Sequence, residues 1–488
     1  MTFAMLCVLS AFQAAPIAQA QLLPSIDSSA QRTAPPSDGT QPNASADLSG
    51  VAVDSVPTMF PHLSDTRFWL SGQANFIFQT HPPFDASYSG SNSLSPDYEK
   101  ATSRVLTLYG GVRLNSSTEL LADVEEAGGA ALSTGLGLGG FTNLDIVRNP
   151  SLTKAPYLSR GMIHKIFALS KDTVENQRNA LSLFTELPRR RLEVRFGKFS
   201  TVDFFDLNSV GSDTHLQFSN WAVDNNGAYD YAADTRGYTY GLVIEYYYKA
   251  WAARYGEMLM PTVANGITLD WNIARAGGQN LELEYHPSLL KDRQTVVRGL
   301  AFLNRANMGS YNDAITGFPN AGRGVPDITL SREQGRVKYG FGLNAEQELT
   351  DAWRAFLRLG WNDGQNESFA YTEIDNTVEI GSDLRGKFWR RPQDKVGAAF
   401  IDSGLSPQHA RYLALGGLGF ILGDGGLTYG REQIFESYYT AHLWRGISIA
   451  GDVQRITNPG FNQARGPVLV PSIRLHIEDG FTSFHRTK

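Results

Sequence analysis

The chain has 488 residues, 19% of them charged, with a formal net charge of -6 and a mean hydropathy of -0.25. Beyond the N-terminal stretch, no segment offers the ~18 uncharged apolar residues a membrane-spanning helix needs, which excludes a helical membrane protein but not a barrel. The mildly acidic balance gives no support to nucleic-acid binding, and Cys7, the single cysteine, provides neither a disulfide nor a thiolate metal site.

Phe3 to Ala18 is an apolar run without charge, closed by Ala18-Gln19-Ala20. That small-x-small pattern reads residues 1–20 as a secretory signal, although the usual basic n-region is missing. Residues 21–61 are rich in Ser, Pro, Ala, Asp and Gln. They cannot bury enough apolar surface to offset their ordering entropy and are expected to form a disordered periplasmic leader. Residues 62–488 read as one domain.

Strand alternation starts at Arg67. Phe68, Leu70, Ala74, Phe76 and Phe78 share one face, while Arg67, Gln73, Asn75 and Gln79 share the other. Arg104 to Leu114 repeats the pattern, with Leu106, Leu108, Val112 and Leu114 outward. Asn115-Ser116-Ser117 is a turn, and the chain returns with Glu119, Asp123 and Glu125 inward. The Gly-rich stretch from Gly128 to Gly140 is a loop able to pack into a lumen. Lys171 to Pro188 is too long for a turn and is expected to be a periplasmic helix or a further strand.

Arg189 to Tyr248 then reads as strand, long loop, strand. Leu192, Val194 and Phe196 oppose Arg191, Glu193 and Arg195, so one face is apolar and the other ionic. A membrane barrel places the first in lipid and the second in a wet lumen. The loop from Asn220 to Tyr231 is rich in aromatics, acids and amides, and its length inside a compact domain marks it as functional. The strand from Tyr238 to Tyr248 follows, with Glu245 on the inner parity.

Later strands separate in the same way. Arg336, Lys338, Asn344 and Glu346 oppose Val337, Tyr339, Phe341 and Leu343; Arg354, Arg358 and Asn362 oppose Trp353, Leu357, Leu359 and Trp361. Glu432, Glu436, Tyr438, Thr440 and His442 share an inner parity, as do Ser472, Arg474, His476 and Glu478. Tyr248-Lys249-Ala250, Pro287-Ser288, Leu349-Thr350-Asp351 and Arg445-Gly446 are expected to be brief connections, and Gly256 to Asn280, Asn307 to Glu333 and Gly404 to Gly430 long ones. Asp363 to Asn366 breaks this rhythm by being short. The tally is about sixteen strands, the even number and turn–loop asymmetry of an outer-membrane barrel. The fold class expected is therefore all-β: a transmembrane antiparallel β-barrel with long extracellular loops and an inward-folded constriction loop. Trp353, Trp361 and Tyr439 suit its interfacial girdles.

Gln73 to Phe84 resembles the opening strand of the carbohydrate-selective outer-membrane porins of the OprB type. Arg195-Phe196-Gly197-Lys198-Phe199, Asp203 to Asn208, the stretch from Asn220-Trp221 to Arg236-Gly237-Tyr238, Ala301 to Gly309, Arg358 to Gly364, Asn458 to Pro467 and Arg474-Leu475-His476 resemble that family too. Together they cover Thr66 to Glu478. The resemblance implies a barrel in a bacterial outer membrane that passively admits monosaccharides and similar small solutes. It implies the partners that go with that setting: outer-membrane lipid, lipopolysaccharide and the barrel assembly machinery, as monomer or trimer. One departure is the end of the chain, which runs past Glu478 through Phe481 and Phe484 to Lys488 instead of closing on an aromatic.

A sugar-admitting constriction needs donor–acceptor pairs for hydroxyls and aromatics for the apolar ring face. Arg191, Glu193, Arg195, Trp221, Asp224, Asp230 and Asp234 are the candidate lining residues, with Arg354 and Arg358 behind them; anchoring of the loop to the wall is the competing role. No nucleophile elbow, Walker loop or metalloprotease motif is present, so no catalytic residue, metal or cofactor is expected. The alternative function is a polysaccharide-acting enzyme using lumenal carboxylates such as Glu119, Asp123 and Glu125. His164, His442 and His476 lack metal-ligand spacing.

Overall fold

Phe68, Phe76 and Phe78 point away from the protein, while Asn75, Ile77 and Gln79 between them are buried. The same inversion runs through the chain: Phe196, Phe341 and Ile473 are each more than half exposed, and the ionic residues beside them are covered. An apolar outside around a charged inside is the pattern lipid selects, since the bilayer rewards apolar contact and cannot hydrate charge. The computed structural model describes residues 58–62, 66–146, 152, 154–318 and 324–480.

The strands are β1 (Phe68–His81), β2 (Glu99–Asn115), β3 (Thr118–Gly129), β4 (Tyr157–Ala168), β5 (Thr173–Glu175), β6 (Glu186–Pro188), β7 (Arg191–Phe199), β8 (Thr239–Tyr248) and β9 (Trp251–Leu259). They continue with β10 (Gly277–Tyr285), β11 (Thr295–Met308), β12 (Glu333–Glu348), β13 (Trp353–Asn362), β14 (Asn376–Gly386), β15 (Arg391–Gly404), β16 (Glu432–Trp444), β17 (Ile447–Thr457) and β18 (Val468–Gly480). Sixteen of them, all but β5 and β6, pair antiparallel with their neighbours and close as β1 meets β18, Asn75 lying opposite His476. Closure leaves no sheet edge to be satisfied in lipid.

Brief turns at 116–117, 249–250, 349–352 and 445–446 lie at one end of the barrel, and long loops at 82–98, 130–156, 200–238, 309–332 and 405–431 at the other. Four connections differ from the sequence expectation. Gly256 to Asn280 shrinks to 260–276, because Gly256–Leu259 and Gly277–Asn280 continue the β9–β10 ladder, whose backbone bonds need no apolar pattern. Pro287-Ser288 is part of a longer connection at 286–294, and Asp363 to Asn366 extends to 375 because that segment packs inward before β14 begins. Lys171 to Pro188 is neither helix nor barrel strand. It forms the small β5–β6 hairpin, seated by Val174, Phe184 and Leu187 against Ile166. The signal segment, nearly all of the leader, and the tail with Phe481 and Phe484 lie outside the described residues.

Gly197, in the Arg-Phe-Gly-Lys run, has φ +141°, and a Cβ there would fall on the Gly161 carbonyl of β4. This close approach explains why the run carries glycine. Ile473, outward near the middle of β18, tests the lipid face. An Ile473→Arg variant is expected to lose about 2–4 kcal/mol of folding stability in bilayers, read by denaturant titration of the folded band on gels. An unchanged midpoint would place that face elsewhere than in lipid.

Candidate functional site

The segment 200–238 between β7 and β8 folds into the barrel and is held by the inward side chains of the wall. Its peptide groups cannot rely on bulk water, so each needs a partner. Glu282 of β10 accepts from the Asp206 N–H at 2.7 Å, and Glu346 of β12 from that of Ser209 at 2.8 Å. Glu379 of β14 accepts from Gly227 N–H at 3.0 Å, and Glu436 of β16 from Ser219 N–H at 2.5 Å. On β18, Arg474 donates to the carbonyls of Thr214 and Gln217 at 2.6 and 2.8 Å. Tyr229 donates its hydroxyl to Asn280 of β10 at 2.7 Å. The loop thus crosses the lumen and is tied to strands from β10 to β18.

Most of the candidate residues lie under or within this crossing. Glu193 accepts from Arg191 at 2.5 Å and from Arg195 and His164 at 2.8 Å each, and all four are buried. Arg195 also pairs with Glu245, and the Arg191 guanidinium stacks 3.9 Å from the Tyr247 ring. The wall continues this alternation: Arg254 meets Glu245, Glu282 and Glu284, and Arg298 meets Glu284 and Glu346. Arg354 is paired with Asp383. Buried charges require such compensation, since an unpaired one would cost several kcal/mol.

Arg358, fully buried, grips the loop. It donates to the Val223, Asp206 and Asp224 carbonyls at 2.6, 3.0 and 3.1 Å and to Ser212 Oγ at 2.8 Å, with Asp206 and Glu379 as ion-pair partners. Asp230 accepts from the N–H groups of Phe369 and Ala370 and pairs with Lys338 at 3.4 Å. Asp234 accepts from the N–H groups of Arg236 and Tyr238, closing a local turn. Trp221 is different. It is half-buried, its indole N–H donates to the Asn143 carbonyl at 2.8 Å, and it stacks on Tyr371 with centroids 5.1 Å apart.

Asp224 and His215 give the loop a pH dependence. Burial pushes the Asp224 carboxyl up to about 7, opposed by Arg358 and helped by Asp213. Burial opposes charge on His215, but the Asp145 carboxylate 3.4 Å away overrides it and raises the imidazole to about 9. A raised carboxyl favours the folded loop while protonated, so its contribution is full below its unfolded value of 3.8 and lost as pH climbs through about 7. The His215 contribution is full below 6.5 and lost as pH rises through about 9. Both weaken the loop in the alkaline direction. Asp224→Asn is expected to flatten the lower part of this dependence, read as protease protection of the loop against pH; a profile still sloping as in the parent would refute the assignment.

Where the loop crosses, the inward side chains of β10 to β18 are covered. Half-buried inward side chains cluster instead on β1–β4: Gln73, Tyr109, Glu125, Tyr157 and Arg160. Arg160 lies between acids, donating to Asp203 at 2.7 Å and Asp123 at 3.1 Å. Glu125 accepts the hydroxyls of Tyr157 and of Tyr238, the latter at 2.9 Å, and the Arg236 guanidinium lies 3.8 Å over the Tyr157 ring. Charged donors and acceptors thus lie beside half-buried aromatic rings.

A family profile described as carbohydrate-selective porin, OprB family, matches residues 92–478. The chain belongs to this family. It is an outer-membrane porin. Its barrel is similar to that of Pseudomonas putida OprB in a high-pH structure, with TM-score 0.64 and 16% identity over 85% of this chain and 94% of that one. A low-pH structure of the same protein gives 0.45 at 12% identity, covering 85% and 93%, and a Rh. blastica porin mutant 0.42 at 10%, covering 84% and 99%. No curated protein sequence matches the chain at a significant level.

In this porin, sequence reasoning missed Gln73, Tyr109, Tyr157 and Arg160 as lining candidates. Gln73 and Glu125 were placed on the inner parity, but parity does not tell which inner residues a loop covers. Tyr157 and Arg160 precede the strongly alternating part of β4, where Asp123 and Val124 mark a register shift against Arg160 and Leu158.

Proposed function

We propose that the porin passes monosaccharides and similar small solutes along β1–β4, between Gln73, Tyr109, Glu125, Tyr157 and Arg160 on the wall and Trp221 on the loop. The half-buried cluster on those strands, set against a wall whose inward side chains are mostly covered where the loop crosses, carries this reading. Arg160 and Glu125 exchange hydroxyl hydrogen bonds with water for those with sugar, and the rings of Tyr157 and Trp221 meet its apolar face. Arg358 and Asp230 shape the path by anchoring the loop, Asp224 and Asp234 by their places within it, and Arg191, Glu193, Arg195 and Arg354 by knitting together the charged wall beside it. The chain acts as a passive channel without catalysis, in a bacterial outer membrane. It is exported by residues 1–20 through a leader at 21–61, inserted by the barrel assembly machinery, and surrounded by lipid and lipopolysaccharide as monomer or trimer. Osmotic swelling of liposomes holding the mature chain tests this. Swelling faster in glucose than in an amino acid of similar size is expected; equal rates would leave a general porin, and no swelling from a folded barrel would overturn the reading.

A further inference from the structure

The turn-side connection from β4 to β7 carries its own two-stranded sheet, and it is tucked against the barrel interior. Leu183 is fully buried beside Leu121 of β3, and its N–H donates to Glu119 Oε2 at 3.0 Å. A Cβ on Gly111 of β2 would lie 2.7 Å from the Leu183 side chain, so the bare backbone there makes room for it. Phe184 sets its edge on the His164 ring, with centroids 5.9 Å apart, and His164 is held between Glu119 and Glu193 at 2.8 Å each. Across the mouth, Arg178 donates to the Phe68 carbonyl of β1 at 2.9 Å. The hairpin therefore starts between β4 and β7 and reaches β1 beneath β2 and β3.

Those strands carry the half-buried inward side chains described above. Ala180 and Leu181, at the hairpin tip, pack half-buried against the cluster that contains Trp69 and Leu121 and touches Tyr109. We propose that the 169–190 hairpin is a second, turn-side sieve that narrows the exit of the path along β1–β4 and rejects solutes larger than a monosaccharide. The inference rests on that path being the one solutes take. The sieve works by shape. Leu183 and Phe184 fix the hairpin by burial, the Glu119 bond fixes its height, and Arg178 closes its far end, so the tip stays in place while a solute passes. A rigid apolar tip under a polar path excludes by size without binding, which separates size selection at the exit from hydroxyl recognition above it.

Two variants test this in the full mature chain. One replaces residues 177–182 with a Gly-Gly link; the other is the double variant Arg178→Ala with Leu181→Ser, which leaves Leu183 and Phe184 seated. Circular dichroism and heat-modifiable gel mobility confirm the barrel, and the double variant carries the test if the shortened chain does not fold. The ratio of liposome swelling in sucrose to that in glucose is expected to rise several-fold in both, with larger single-channel conductance. An unchanged ratio in folded variants overturns the sieve. Tyr109→Trp, which narrows the path itself, separates the two ideas: glucose swelling that ignores it overturns the path along β1–β4, whatever the hairpin variants do.

Discussion

An Arg358→Ala porin is expected to keep its barrel and lose its constriction. The side chain is fully buried and ties β13 to the loop through three carbonyls, a hydroxyl and the Asp206 carboxylate, with Glu379 of β14 as a further ion-pair partner. Truncation leaves Asp206 and Glu379 without that cation and several acceptors without a donor in a dry setting, a loss of about 3–5 kcal/mol. That energy falls on the loop, because the sixteen-strand ladder is held by main-chain pairs that Arg358 does not make. Segment 200–238 should become cleavable by added protease while the barrel band stays intact, and sucrose swelling should approach glucose swelling through the β10–β18 side of the lumen that the loop vacates, away from the 169–190 hairpin. Protection and solute ratios equal to those of the parent would show that the other anchors, Glu436 and Arg474 among them, hold the loop unaided.

Arg160→Gln is expected to have the largest effect on the solute itself. Its guanidinium sits between Asp123 and Asp203, with Tyr238 5.9 Å from it and Glu125 bonded to that tyrosine. The variant leaves acids facing the path without their central cation. The reversal potential in a salt gradient should move toward cation selectivity. Hydrogen bonds to a charged group contribute about 1.5–3 kcal/mol, so the glucose concentration that half-blocks ion current should rise roughly tenfold or more. Arg160→Lys keeps the charge and should restore selectivity while recovering glucose block only in part, since a point charge lacks the planar fork. An unaltered reversal potential in Arg160→Gln would place Arg160 outside the path.

The period-two alternation at Leu192, Val194 and Phe196 against Arg191, Glu193 and Arg195 was enough to specify a lipid-facing strand, because side-chain direction in a strand depends only on parity. The same holds for Tyr339, Phe341 and Leu343 against Lys338, Asn344 and Glu346, all of which the structure places as their parity requires. The Lys171 to Pro188 connection was not legible in this way: its two short strands are three residues each, too brief for a periodic signal, and its fate is set by the seat that Gly111 and Glu119 offer. Nor could spacing show that Asp230 and Asp234 accept main-chain N–H groups, since an acid that anchors a loop and an acid that faces a solute look alike in one dimension.

The amino-acid sequence by itself determined the closed barrel, its inside and outside, and the loop between β7 and β8, since each follows from local alternation and from the length of what interrupts it. Only the tertiary structure decided which inner charges are covered and which stay half-open. Arg191, Glu193 and Arg195 have the parity of a lumen wall, yet they are buried among His164, Glu245 and one another; Arg160 and Tyr157 share that parity and stay half-open. Whether a lumenal side chain meets a solute depends on where a loop far off in sequence comes to rest, and that is settled by many carboxylate-to-N–H bonds formed together across the barrel.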